Sequence, residues 1–481
     1  MRMLNRRGTL KLGAAGGVAL ALPAERLMAA VVGSPPAAKP FTRELPIPPV
    51  LSPVYSDRST DYYELSVKPG VAEILPGVPT EVITYNGSFP GPTIKAKRGR
   101  SVKVAVTNRL QTPSAVHLHG GIVPQDSDGH PLDVIQPGHS RIYHYPNDQR
   151  ASTLWYHDHA HHLEAEQIYK GLCGLYLIED PKAAPMLPRG QFDIPLMFRD
   201  VALDDHGQLL WAMFDAQRRS TVLVNGVPQP VLRVRRRKYR LRLVNTSNER
   251  MFSFRLSNGG ELVQVATDGG LLARPVRRTE ISLWPAERVE VVVDFSNARG
   301  GSAITLVNAQ GTVPENTEIM RFDVVDSIRK DMPDTDDSSV PQKLSVLPAI
   351  GAPVMMTRKV VLSFDFKNLV FLINGKPYDP YRTDFTVKRG STEIWEVTNA
   401  DPDPIPHSLH VHVVQFRVLD RNGRSVEPWE AYPKDTVSIA SGETVRLLIK
   451  FDAPYTGMFP FHCHFVDHSS VAMMAQMKIV A

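Results

Sequence analysis

The chain has 481 residues, of which 42% are hydrophobic and 22% charged, proportions that are ordinary for a globular protein. Its length predicts about three domains, and 40 prolines with 32 glycines favour short strands and turns over long helices. Residues 1–30 carry a net +4 of the formal charge of +5. The remaining chain is near neutral, so its charge predicts no nucleic-acid partner.

Residues 1–30 have the pattern of an export signal. Arg6 and Arg7 begin a basic segment, and the apolar run AAGGVALAL that follows is too short to span a bilayer. The arginine pair followed by Leu10 and Lys11 is similar to a twin-arginine signal, which directs the export of folded proteins. We therefore expect an exported protein, periplasmic or extracellular, with no stable membrane insertion after export. No small-residue motif marks the cleavage site.

Three stretches, 85–108, 224–245 and 373–399, share one pattern. Each begins with Asn-Gly, passes a proline and a basic turn, and ends in an alternating segment that closes on asparagine. Asn-Gly is a hairpin-turn signal, and alternation with period two indicates a β-strand. The copies start 139 and 149 residues apart, a spacing too long for a solenoid repeat. The pattern predicts three copies of one all-β domain.

The predicted fold is therefore all-β, with three tandem Greek-key β-sandwich domains. The domains are expected over residues 45–182, 183–335 and 345–481. The segment 332–356 is predicted to contain the linker before the third domain.

Paired histidines occur in the first and third copies, in HLHG, WYHDHAHH, HSLHVH and HCHFVDH, whereas the second copy has none at these places. Because side chains alternate along a strand, both members of a pair project to one face. Eight imidazoles in a core would leave ring nitrogens unsatisfied, but they suit copper, zinc, iron or nickel. We expect a metal cluster between domains one and three, held by His117, His119, His157, His159, His410, His412, His462 and His464.

The two cysteines have different surroundings. Cys173 lies in the apolar run GLCGLYLIED, where a free cysteine behaves as a small buried hydrophobe. Cys463 projects to the face opposite its two histidine neighbours and is therefore expected to serve a different metal. Its candidate partners are His407, His468 and, at longer range, Met473. Two imidazoles, a thiolate and a weak thioether form the ligand set of a blue-copper electron-transfer site.

The motifs H-x-H-G, W-x-H-D-H, H-x-x-H-x-H and H-C-H-x₃-H-x₄-M occur in this order and resemble those of the multicopper oxidases, especially the bacterial laccase-like members. The resemblance covers about residues 45–481. It implies three cupredoxin domains and four coppers per chain, of which one is type 1, one type 2 and two type 3. It also implies one-electron oxidation of a substrate at type 1 copper and four-electron reduction of O₂ to water at the trinuclear cluster.

The resemblance assigns each ligand. The type 1 set is His407, Cys463, His468 and Met473, and the type 2 set is His117 and His410. The two type 3 sets are His119, His157 and His464, and His159, His412 and His462. The other histidines have no ligand role in this pattern and are expected at the surface or beside the site: His130, His139, His144, His161, His162 and His206.

Oxygen reduction consumes protons, and the resemblance implies an acidic residue beside the cluster. Asp128, in PQDSDGHP, aligns with that residue, so Asp128 and Cys463 are the predicted catalytic residues. The alternative for Asp128 is an ordinary Asp-Gly turn. Many bacterial relatives have an acidic residue directly after the last type 1 histidine, where this chain has Ser469. Either Asp467 compensates or the proton path differs.

A methionine axial ligand predicts a moderate type 1 potential, adequate for phenols, aromatic amines or Cu(I). A small aromatic reductant is the favoured substrate. Cu(I) oxidation in copper homeostasis is the alternative. It is less favoured because Met355 and Met356 form a mere pair rather than a methionine-rich insertion. A non-enzymatic cupredoxin-repeat scaffold is disfavoured by the complete ligand set, and a copper nitrite reductase by that set and the three domains. The sequence does not predict the oligomeric state.

Overall fold

The computed structural model describes residues 38–326, 336–347, 349, 353–402 and 404–481. The predicted export signal lies outside these residues. Within them the chain forms mostly β-strands, which confirms the all-β prediction. The strands group into three consecutive sections, each with its own buried apolar cluster. No described helix is long and apolar enough to cross a membrane.

The first section contains helix α1 (Glu164–Lys170) and the strands β1 (Tyr55–Ser56), β2 (Thr60–Ala72), β3 (Thr80–Tyr85), β4 (Gly91–Lys97), β5 (Ser101–Asn108), β6 (Val116–His119), β7 (Ser140–Tyr145), β8 (Ser152–Asp158) and β9 (Cys173–Glu179). One sheet has the order β1-β2-β5-β7, with β3 also paired to β2, and the facing sheet has the order β4-β9-β8-β6. β5 alternates strictly, so that Val102, Val104 and Val106 enter the core.

The second section contains helix α2 (Pro314–Thr317) and the strands β10 (Asp193–Val201), β11 (Thr221–Val224), β12 (Val227–Pro228), β13 (Val231–Arg235), β14 (Lys238–Asn245), β15 (Phe252–Leu256), β16 (Leu262–Thr267), β17 (Gly270–Arg278), β18 (Ile281–Leu283), β19 (Arg288–Asp294), β20 (Ala303–Asn308) and β21 (Glu318–Val325). Its sheets have the orders β12-β11-β10-β14-β19-β16-β17 and β13-β21-β20-β15-β18.

The third section contains helix α3 (Val466–Ser470) and the strands β22 (Val354–Asp365), β23 (Val370–Ile373), β24 (Phe385–Lys388), β25 (Thr392–Asn399), β26 (His407–Val411), β27 (Phe416–Arg421), β28 (Arg424–Ser425), β29 (Thr436–Ile439), β30 (Thr444–Lys450), β31 (Gly457–Cys463) and β32 (Met474–Val480). Its sheets have the orders β23-β22-β25-β30-β27-β28 and β24-β32-β31-β26-β29. Because β22 begins at Val354, Met355 and Met356 are exposed strand residues and not part of the predicted linker.

The internal repeat recurs in the strand pairing and in the turns. Each section has a parallel pair that is formed in the same way: β2 with β5, β10 with β14, and β22 with β25. The Asn-Gly turns at 86–87, 225–226 and 374–375 have positive φ at both residues. That conformation is the one that a tight hairpin turn requires, and asparagine and glycine adopt it with little strain.

The three closing asparagines make the same contacts. Asn108, Asn245 and Asn399 are fully buried. Each Nδ2 donates to two backbone carbonyls, and each Oδ1 accepts the backbone N–H two residues later. In each section this side chain therefore ties the end of a strand to two neighbouring segments.

Candidate metal centre

Four strands bring the histidine pairs together between the first and third sections. On β6 and β8, His117 lies opposite His157, and on β26 and β31, His410 lies opposite His462. Rings from the two sections stack on each other, with centroids 3.8 Å apart for His117 and His412. The corresponding distance is 3.7 Å for the rings of His119 and His410. The structure thus brings the eight predicted cluster histidines into one buried interface.

Burial keeps most of these imidazoles neutral. It lowers the pKa of His157 to about 3 and that of His462 to about 4. It also lowers the pKa well below the ordinary value in His117, His119, His410, His412 and His464. His159 differs: burial opposes its charge, but the adjacent Glu164 carboxylate raises its pKa. A neutral imidazole keeps one lone pair free for a metal.

The outer ring nitrogens are fixed by backbone acceptors. A carbonyl oxygen can only accept a hydrogen bond, so each ring whose Nδ1 faces a carbonyl oxygen carries its proton on Nδ1. The four donor–acceptor pairs are His117 to Asp128 (2.6 Å), His157 to Asp158 (2.8 Å), His410 to Asp435 (2.8 Å) and His462 to Cys463 (3.0 Å). The inner Nε2 atoms of His117 and His410 are then both lone pairs, only 3.4 Å apart. Two lone pairs this close repel each other unless a cation lies between them.

Several buried ring nitrogens also have no hydrogen-bond partner in the described part of the chain. Among them are Nδ1 of His119, Nε2 of His157 and both ring nitrogens of His464. Leaving a buried polar atom unpaired costs about 1 to 3 kcal/mol, and these three residues form one of the expected type 3 sets. The other type 3 set, His159, His412 and His462, has its ligand atoms within 4.8 Å of one another. An all-imidazole donor set of this kind fits copper.

A second metal-binding group surrounds Cys463. Its Sγ lies 3.6 Å from Nδ1 of both His407 and His468, and these two nitrogens are 3.2 Å apart. Nε2 of His407 faces Asp401 Oδ2 at 2.9 Å, which leaves Nδ1 free to bind. Met473 is fully buried, and its carbonyl accepts the backbone N–H of Cys463 at 3.1 Å.

The Cys463 thiol is fully buried, and burial raises its pKa to about 12. It therefore holds its proton until a cation displaces it. Two imidazoles and a buried sulfur within reach of one ion fit the type 1 copper that the sequence predicts.

His468 lies at the edge of this second group. Its side chain is 10% exposed, whereas that of His407 is fully covered. Phe371 stacks on the His468 ring with centroids 4.0 Å apart, and Phe214 of the second section lies 6.3 Å away. Glu249 Oε1 is 3.9 Å from His468 Nε2. The ring edge of His468 is thus the part of the group nearest to solvent.

Asp128 connects the first and third sections at the cluster. It follows a 3₁₀ turn at Gln125–Ser127 and is fully buried. Its Oδ2 lies 2.8 Å from His412 Nδ1, whereas its backbone carbonyl accepts from His117. Burial raises the pKa of Asp128 to about 8. An acid that holds its proton near neutral pH can deliver it nearby.

Sequence reasoning missed Glu164 of α1. Its Oε2 lies 2.8 Å from His159 Nδ1, although the ring N–H is not aligned on that oxygen as in a hydrogen bond. Its Oε1 accepts the hydroxyl of Ser469 on α3. Burial opposes ionisation of Glu164, but the adjacent His159 lowers its pKa to about 2. An acid five residues beyond His159 carries no recognisable motif.

Asp435 and Arg288 were also missed. His119 Nε2 lies 3.2 Å from Asp435 Oδ1 and 3.0 Å from Thr436 Oγ1. Arg288, from the second section, donates to the same Asp435 oxygen at 2.6 Å, and both side chains are fully buried. The second section therefore reaches the cluster through a salt bridge. No histidine or cysteine marks it in the sequence.

Asp467 does not lie beside the cluster. It accepts from Arg219 Nη2 and Asn248 Nδ2, both at 2.9 Å, and from the Phe214 backbone at 2.8 Å. These three partners belong to the second section. The carboxylate that meets Ser469 is instead Glu164.

The six remaining histidines stand apart from the metal-binding groups found in the described residues. His130 Nε2 faces Gln476 Oε1 at 2.6 Å, and His162 Nδ1 donates to the Ser470 carbonyl at 3.1 Å. The rings of His161 and His162 are in contact, with centroids 3.7 Å apart and planes tilted by 33°. His139 and His206 are exposed, and His144 is partly exposed.

Both cysteines are free and buried. Their predicted roles differ. Cys173 packs in an apolar cluster that includes Trp155 and Leu175, whereas Cys463 faces the imidazoles of His407 and His468.

Residues 66–183, 193–321 and 347–481 match family profiles described as multicopper oxidase. The laccase of Bacillus subtilis (strain 168) is 35% identical over 514 residues, covering 91% of this chain and 98% of the relative. The crystal structure of laccase from Pediococcus acidilactici Pa5930 superposes with a TM-score of 0.84 at 30% identity, over 94% of this chain and 95% of that one. The structure of a Campylobacter jejuni multicopper oxidase, described as a metallo-oxidase, superposes with a TM-score of 0.80 at 27% identity. The match covers 92% of this chain and 96% of that one.

The chain belongs to the multicopper oxidase family. The expected fold of three cupredoxin-like domains is confirmed. The protein is a copper-dependent oxidoreductase that uses O₂ as its electron acceptor.

Proposed function

We propose that the protein is a laccase-like oxidase that holds four coppers: one type 1, one type 2 and two type 3. The type 1 ligands are His407, Cys463, His468 and Met473, and the type 2 ligands are His117 and His410. The type 3 ligands are His119, His157 and His464 for one copper, and His159, His412 and His462 for the other. The proposal rests on one observation: at all three positions of the cluster, buried ring nitrogens face each other or have no hydrogen-bond partner among the described residues.

Copper, when bound, supplies the one-electron chemistry that joins oxidation of the reductant to reduction of O₂ to water. The chain supplies the route between the two groups. Cys463 faces His407 and His468, and its immediate neighbours His462 and His464 belong to the cluster. The covalent path from the Cys463 sulfur to either cluster imidazole therefore crosses a single peptide unit.

The reductant contacts the exposed edge of His468. A small phenol or aromatic amine suits this place, because Phe214 offers an aromatic face and is 38% exposed. Glu249 lies beside His468 Nε2 and can accept a hydrogen bond from a hydroxyl or amine. Cu(I) remains the second candidate reductant, favoured by the likeness to a metallo-oxidase.

Asp128 is the proposed proton donor at the cluster. Its buried carboxyl contacts His412, and its pKa is raised by burial, so it holds a proton within the buried interface. The same contact also positions the His412 ring. Asp128 and Cys463 are thus the two proposed catalytic residues.

The proposed setting is outside the cytoplasm. Arg6 and Arg7 direct export by the twin-arginine route, so the protein folds before it crosses the membrane. Substituting both arginines with lysine should retain the protein in the cytoplasmic fraction. Unchanged export of that variant would contradict the route.

The decisive test is a copper count followed by O₂ uptake with a phenol, an aromatic diamine and Cu(I). We expect four coppers per chain and faster uptake with the aromatic reductants. Fastest uptake with Cu(I) would assign a cuprous oxidase instead. A chain that binds one copper or none, and consumes no O₂, would support the scaffold alternative.

A further inference from the structure

Glu164 is a buried charge that must have a compensating role. Its side chain is 3% exposed, and burying a carboxylate costs several kcal/mol unless opposite charge and hydrogen bonds compensate. An apolar side chain would fit the surroundings, because α1 packs on α3 through Ala165, Ile168 and Val466. Replacing a buried ion pair with apolar groups is often neutral or stabilising, so packing alone does not account for an acid here.

The two oxygens of Glu164 face different sections. Oε2 contacts His159 Nδ1 at 2.8 Å, and Oε1 accepts the hydroxyl of Ser469, with Ser470 Oγ 3.4 Å away. The backbone N–H of Glu164 donates to Ala160 at 3.0 Å, which fixes the start of α1 directly after the histidine motif. The carboxylate is therefore held from both sides of the interface.

His159 depends on this one contact. The outer nitrogens of His117, His157, His410 and His462 donate to backbone carbonyls, whereas His159 Nδ1 has no hydrogen-bond partner in the described part of the chain. Its close polar neighbour is the Glu164 carboxylate. A carboxylate at this nitrogen favours the tautomer with the proton on Nδ1. Nε2, 3.3 Å from His462 Nε2, is then a lone pair.

We propose that Glu164 is a positioning residue that fixes the tautomer and orientation of His159 as a metal ligand, with Ser469 holding the Glu164 carboxylate in place. The inference rests on the copper ligands proposed above. Carboxylates that orient a ligating imidazole change metal affinity by about 10- to 100-fold when they are removed. The effect should be confined to the copper bound by His159, His412 and His462.

The test compares Glu164→Ala and Glu164→Gln with Glu166→Ala. Glu166 lies on the same helix but is partly exposed and pairs with Lys170 at 2.6 Å, so it serves as the matched control. Each protein is loaded with copper and then challenged with a chelator, while copper per chain and the type 1 blue absorbance are followed. Glu164→Ala should release one copper about 10- to 100-fold more readily and keep its blue absorbance. Glu166→Ala should match the wild type.

Moving the carboxylate to a neighbouring residue tells a positioning role apart from a general loss of structure. Ser469 Oγ contacts Glu164 Oε1, so in Glu164→Ala/Ser469→Glu the new carboxylate enters the vacated space. We expect this double variant to recover most of the copper retention. Glu164→Gln keeps the shape of the side chain but loses its charge. Should Glu164→Ala fail to fold, Glu164→Gln is compared with Glu166→Ala in the same way.

Wild-type copper retention in both Glu164 variants would overturn the proposal. Loss of the type 1 copper in parallel would overturn it too, as would a double variant without recovery. Failure of the proposed function looks different, because the wild-type chain itself would then bind fewer than four coppers.

Discussion

Burial and metal binding act in opposite directions on the Cys463 thiol. Burial raises its pKa to about 12, so only a bound cation makes it a thiolate. We expect Cys463→Ser to lose the intense blue absorption and all substrate oxidation, because only a thiolate gives that charge-transfer colour. The cluster lies on the other face of the strand and should still load three coppers. Absorption spectra and a copper count check this, and any remaining blue band contradicts the assignment.

An asparagine at position 128 tests whether Asp128 acts through its ionisable group or only through its shape. Asparagine keeps an acceptor for His412 Nδ1 but cannot deliver a proton. Asp128→Asn should load four coppers and accept electrons from substrate normally, while reoxidation by O₂ slows by about 100-fold or more. The activity optimum should move to lower pH, where solvent supplies protons instead.

Stopped-flow reoxidation of the fully reduced Asp128→Asn variant measures this rate. The matched control is Asp126→Asn, which changes the neighbouring carboxylate whose Oδ1 accepts from Ser127 Oγ. A wild-type rate for Asp128→Asn at every pH would make Asp128 a turn residue only.

Among the elements, the strand-closing asparagines invite a stability test. Asn245 lies in the second section and is not one of the proposed metal ligands, and its side chain makes three hydrogen bonds to backbone, two of them fully buried. Asn245→Ala leaves these groups unpaired and should lower the free energy of unfolding by about 2 to 4 kcal/mol. Denaturant unfolding of the apo-protein measures the change. The exposed Asn297→Ala serves as control and should shift the unfolding free energy by no more than about 0.5 kcal/mol.

The elements also explain which site residues the sequence reveals. The histidine pairs were predictable because side chains two apart on a strand share a face, as His117 and His119 do on β6. Cys463 was separable from its neighbours by the same rule. Glu164 was not, since it lies on a short helix whose packing against α3 has no local pattern. Met355 and Met356 were predicted to lie in a linker, because a polar, proline-containing segment obscured the start of β22.

For the whole molecule, the middle domain supplies charge rather than ligands. Arg288 joins Asp435, which contacts His119, so three domains meet at one fully buried salt bridge. The sequence could not predict this bridge, since its partners are 147 residues apart. Arg288→Met leaves the Asp435 charge unpaired and should destabilise the apo-protein by about 3 to 5 kcal/mol.

Denaturant unfolding of copper-free Arg288→Met measures this loss in the free energy of unfolding. Arg277→Met is the control, because Arg277 lies in the same domain and is 71% exposed. It should change the unfolding free energy by no more than about 0.5 kcal/mol. Equal stability of the two variants would show that the buried bridge contributes nothing.

The histidines of the cluster are distant in the chain: His117 and His410, whose Nε2 atoms nearly touch, are separated by 293 residues. During synthesis the first domain therefore emerges with half of a metal site, and its partner half is still untranslated. The complete set of ligands exists only after the third domain has docked. Metal binding by the complete sites therefore follows docking of the third domain, and a chain truncated before residue 407 should retain neither centre.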